Sequence, residues 1–132
     1  MKIDDTFFDD LTAQAKANSR LRQSYDLRTT SEDKSQRMLN ALEPGTVMPI
    51  HRHRNTSETM VMVRGKLIER FYDDVGNLTD EFLMEPGGEY PMIQIPAGQW
   101  HSLEVLESGT IIFEAKDGKY MPLGEEDVII IK

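Results

Sequence analysis

Two of the chain's three histidines stand one residue apart, as His51 and His53 in "PIHRHRNTSETMVMVRGK", with Glu58 five positions later. On a strand, residues i and i+2 point to the same face, so both imidazoles can converge on one point. Solvent-facing or core histidines are the plain readings of such a pair; half of a metal site is the other. Glu58, after the turn-prone "RNTS", is expected on the next strand. Facing side chains across an antiparallel pair come within about 5 Å at Cβ, which lets three groups share one ion at about 2 Å each. Glu58 then serves either as a ligand or as a base beside the metal. The third histidine, His101, opens a later strand-like segment after "IPAGQW".

Other candidates surround these. Met60 and Met62 share parity with Glu58 and are expected to fill the same interior. Gln99 shares parity with His101 and is a candidate to hydrogen-bond a ligand, while Trp100 points the other way. Glu114, in "IIFEAKDGKY", is an acid among apolar strand residues, and such an acid needs a partner or a purpose. It is a second candidate acid–base group beside Glu58. Lys116 and Tyr120 are read as turn residues able to fold over the site, or simply solvated. Arg20, Arg22 and Arg28 form the chain's notable basic group; they either bind an anionic part of a substrate or pair with nearby acids. Arg52, between the two histidines, is expected to face outward.

These side chains need elements to hold them. Residues 4–18 read as a helix, with Asp4, Asp5 and Thr6 at its start and Phe7, Phe8, Leu11 and Ala15 near helical spacing. "RLRQSYDLRTTSEDKSQ" reads as an arm with room for one short strand. From Arg37 onward, strand-like segments recur every 8 to 12 residues: "RMLNALEPGT", "ETMVMVRGK", a hairpin turning at Val75-Gly76-Asn77, "YPMIQIPAG", "WHSLEVLE" and "TIIFEAKDGK". "EEDVIIIK" adds an edge strand or an oligomer contact. The spacing predicts a sandwich or small barrel over 37–132, preceded by a helix and arm over 1–36, in a single domain.

Composition narrows the function. The 132 residues suit one core, and 39% are hydrophobic. Fifteen Lys and Arg against 23 Asp and Glu leave a net charge of −8, which argues against a nucleic-acid partner. No apolar run approaches the roughly 18 residues of a membrane span, and "MKIDDTFFDD" lacks the features of a signal peptide. The expected location is the cytoplasm. With no cysteine, any metal takes nitrogen and oxygen ligands.

Gly45, His51, His53, Glu58 and Gly65 meet every spacing of the first cupin motif, and Pro96, Gly98 and His101 resemble the second. Tyr90 and Val105 stand where that second motif has Gly and Asn, positions that bear on turns and packing. More closely, "SQRMLNALEPGT", "PIHRH", "SETMVMVRGK", "IPAGQWHSLEVLE" and "FEAKDGKY" resemble the WbuC type of small cupin-fold metalloproteins, associated with bacterial O-antigen gene clusters. The resemblance implies an all-β cupin jelly-roll with a short N-terminal helix. It implies one divalent ion, Fe(II), Mn(II), Ni(II), Zn(II) or Cu(II), on His51, His53, Glu58 and His101. Six-coordinate ions leave two positions for water or substrate. It also implies a homodimer and a small-molecule substrate, a sugar or sugar nucleotide of surface-polysaccharide synthesis. Two functions fit: a metal-dependent enzyme (isomerase, epimerase, hydrolase or dioxygenase), or a non-catalytic sugar- or metal-binding module.

Overall fold

The computed structural model describes residues 1–129. Helix α1 runs Asp5–Ala17, close to the expected span. Asp4 caps it by accepting from the Phe7 amide at 3.0 Å, and Lys16 stands in its last turn, where the helix dipole favours a cation. Ten strands follow among the described residues: β1 Arg22–Asp26, β2 Ser35–Leu42, β3 Ile50–His51, β4 Glu58–Arg64, β5 Leu67–Tyr72, β6 Leu78–Met84, β7 Met92–Ile95, β8 Trp100–Val105, β9 Thr110–Asp117 and β10 Val128–Ile129. They form two five-stranded antiparallel sheets, β1-β2-β9-β4-β7 and β10-β3-β8-β5-β6. The result is a jelly-roll barrel with one helix outside it. β1, from the expected arm, is an edge strand of the first sheet. The expected terminal strand is seen as Val128–Ile129 on β3; 130–132 lie outside the described residues.

Strand alternation separates two cores. On β2 and β9, Leu39, Ala41 and Ile111 face outward and pack with Leu11 and Ala15 of α1. Their alternates, Leu42 and Ile112, face inward with Met60, Met62, Leu67, Met84 and Val105. The helix therefore seals one face of the first sheet. Arg64, paired with Asp5 and Asp9, ties it to β4. Gly65 is required where β4 turns into β5: its φ is +82°, and a Cβ there would lie 2.6 Å from the Thr110 Cα. The interior is apolar at one end and polar at the other, and the polar end is the site.

Candidate metal and ligand site

His51 and His101 are register partners on the adjacent strands β3 and β8, and their ring centroids are 4.2 Å apart. His53 follows β3 in a loop whose carbonyl accepts from the Gly98 amide at 2.8 Å, within the Pro96–Gln99 turn that leads into β8. That bond joins the two histidine-bearing segments. One ligand atom from each of the three imidazoles lies within 4.8 Å of the others. His51 Nδ1 sits 2.9 Å from the Pro49 carbonyl, and His101 Nδ1 sits 2.9 Å from the Gln99 carbonyl. A carbonyl can only accept, so Nδ1 carries the proton in both rings and each Nε2 keeps a free lone pair. These are the outer acceptors that orient metal-ligating imidazoles.

Glu58 reaches the cluster by a different route from the expected one. β3 and β4 belong to different sheets and do not pair, so Glu58 projects across the barrel interior. The connection after His53 carries the chain to the opposite sheet, which residue spacing alone does not reveal. Glu58 Oε2 lies 3.5 Å from His101 Nε2 and 4.0 Å from His53 Nε2. It is buried and has no hydrogen-bond partner among the described residues. Three clustered imidazoles, two of them beside an orphaned carboxylate oxygen, are a donor set that fits a divalent ion.

The electrostatics agree. Burial first, then neighbouring His101, lowers His51 to about 4; burial, then Lys116, lowers His53 to about 3. His101 is lowered by burial. All three are neutral at pH 7, as metal ligands must be. Glu114 faces the same cavity, on β9 opposite Met60. Burial first, then the adjacent Glu58 carboxylate, pushes it up to about 8. Asn40 donates to its Oε1 at 2.9 Å, and Lys116 Nζ lies 3.7 Å from its Oε2.

The cavity holds about 200 Å³. Met60 lines it, as expected, and Met62 packs in the core beyond. Of the three arginines, Arg22 lines it, donating to the Val47 carbonyl at 3.1 Å. Arg28 does not; it is forked onto Asp26 at 2.7 Å. Arg20 is also outside the cavity lining, with its backbone carbonyl holding Thr46. Gln99 is not in the cavity lining, and its amide nitrogen donates to the Tyr72 and Trp100 carbonyls. Trp100 and Arg52 do face outward together, the guanidinium 4.5 Å from the indole ring.

Lys116 is a strand residue on β9, not a turn residue, and its parity with Glu114 sends it inward. Tyr120 does lie in the following segment, but it lines a second, outer cleft of about 670 Å³. That cleft shares His53 and Lys116 with the inner cavity. Sequence reasoning missed Asn40 and Glu69. Both lie in alternating strands at inward positions, and a charged residue at the inward place of "LIERFY" was the available signal.

Residues 3–84, more than half the chain, match the family model described as a domain of unknown function (DUF6016). A search of curated proteins finds no match. Among solved structures, KdgF from Halomonas sp. superposes with a TM-score of 0.61 at 14% identity, over 75% of this chain and 82% of that one. The capsular polysaccharide assembling protein CapF from Staphylococcus aureus gives 0.62 at 23% identity, over 75% and 27%. Bacillus subtilis oxalate decarboxylase gives 0.58 at 20%, over 74% and 25%. The chain thus spans about a quarter of the last two. These likenesses establish the cupin fold.

Proposed function

The chain belongs to the DUF6016 family and folds as a cupin, and from that premise we propose a metal-binding enzyme acting on a small sugar or sugar nucleotide. The finer reading follows the WbuC-type resemblance: an intermediate of bacterial surface-polysaccharide (O-antigen) synthesis, handled in the cytoplasm by a homodimer of single-domain chains. CapF, of the same fold, is a capsular polysaccharide assembling protein, which supports that direction. The observation that carries the reading is the convergence of three neutral imidazoles, two of them beside the orphaned Glu58 oxygen, in a cavity that shares His53 and Lys116 with a larger cleft.

His51, His53, His101 and Glu58 would hold one divalent ion. When bound, such an ion supplies Lewis-acid chemistry. Glu114, raised to about 8, holds a proton at neutral pH and can deliver it to a substrate atom in the cavity, as a general acid. Lys116, beside it, stabilises the carboxylate left behind. Arg22 on the cavity wall binds an anionic group of the substrate, and the outer cleft receives the remainder of a larger ligand.

The test is elemental analysis of untagged protein, wild type and His53→Ala, after dialysis against chelator, with turnover of sugar nucleotides assayed on the loaded wild type. The expected result is about one equivalent in the wild type and much less in the variant. Full retention by a folded variant rejects the ligand set. Metal-dependent binding without turnover would assign the non-catalytic module instead.

A further inference from the structure

We propose that Glu69 is a ligand-binding residue, presenting its carboxyl group to a hydroxyl-bearing ligand held in the cavity of the three imidazoles; this deepens the sugar reading above and rests on it. Glu69 occupies an inward position of β5, opposite Leu103 of β8 and Phe82 of β6. Its relative exposure is 0%, it lines the cavity, and neither carboxyl oxygen has a hydrogen-bond partner among the described residues. It stands apart from the histidine cluster, which closes without it.

Packing does not account for this residue. Its cross-strand partners Phe82 and Leu103 are apolar, and a leucine or methionine would pack beside them with no polar atoms to satisfy. A buried polar group without a partner destabilises the fold, and proteins retain such groups where a ligand uses them. Burial first, then the charges of Glu58 and Glu114, raises Glu69 well above the usual carboxylate range. Each of its two orphaned oxygens calls for a hydrogen-bond partner that the described residues do not supply. A hydroxyl group, which both donates and accepts, complements a carboxyl group in either protonation state. The cavity volume, about 200 Å³, suits a single ring. Asn40 and Glu114 along the same wall add further partners for a polyol.

The test compares wild type with Glu69→Leu and Glu69→Gln, using D-glucose and D-glucuronate as probes in ligand-observed NMR titrations. Thermal melting and metal content are measured on each protein. Glu69→Leu should melt higher than wild type, keep its metal, and bind the sugars about tenfold more weakly, the effect of one lost hydrogen-bonding group. Glu69→Gln retains a donor and an acceptor and should stay within about threefold of wild type. Glu69→Met gives the same comparison if leucine does not pack. Unchanged affinity in the leucine or methionine variant overturns the proposal, as does failure of both sugars to bind the wild type. A wild type that binds sugar but no metal would reject the metal reading while leaving the role of Glu69 intact.

Discussion

Lowering the pH from 7.5 to 5.5 should barely change the affinity of the apoprotein for Zn(II). A metal must displace any proton on a ligating imidazole before it binds. At pH 5.5 an ordinary histidine, with pKa about 6.5, is protonated about ten to one. Two such ligands would lower the apparent affinity about a hundredfold between these pH values. In this protein burial holds His51 at about 4 and His53 at about 3, with His101 and Lys116 respectively as the next causes. The same arithmetic with these values leaves a loss of only a few per cent from the pair. The assay is chelator-competition titration of apoprotein with Zn(II) at both pH values, with calorimetry in two buffers to count released protons. Affinity within about threefold, with less than one proton released from the imidazoles at pH 5.5, is the expected outcome. A hundredfold loss, or release of two protons, would refute the claim that burial keeps the imidazoles neutral.

Three further outcomes are expected. Arg22→Ala should weaken binding of a sugar nucleotide roughly 10- to 100-fold, the effect of one charge-assisted hydrogen bond; Arg28→Ala should leave it nearly unchanged, because Arg28 is forked onto Asp26 away from the cavity. Equal effects in titrations of both variants would count against the assignment. Gly65→Ala should destabilise by about 1–3 kcal/mol in urea unfolding, since the new methyl meets the Thr110 backbone at a positive φ. Glu114, raised in the fold, contributes stability at acid pH that is lost as pH rises from its unfolded value through about 8. Apoprotein carrying Glu114→Gln should therefore lose less stability than wild type between pH 6 and pH 9 in thermal melts.

Much of the architecture was legible in the chain because local chemistry specifies it. Asp4 before an apolar stripe at helical spacing marks the helix, and Phe7, Leu11 and Ala15 mark its buried face. Val75-Gly76-Asn77 marks the β5–β6 hairpin. His51-x-His53, Glu58 and His101 at motif spacing identify which side chains meet.

What the sequence could not decide is how the strands cross. A turn of few residues can return a strand beside its neighbour or carry it to the opposite sheet, and side-chain types do not distinguish the two. Glu58 was therefore expected beside the histidines and arrives from across the barrel. The same reason separates Arg22 from Arg20 and Arg28: β1 joins the first sheet and carries Arg22 at its start, whereas Arg20 and Arg28 lie outside the strand and outside the cavity lining. Gln99 shares parity with His101 but lies in the turn before β8, where backbone carbonyls claim its amide. Glu69 depends most on tertiary structure. An alternating strand predicts that it faces inward, but only the assembled barrel surrounds both its oxygens with side chains that offer no hydrogen bond.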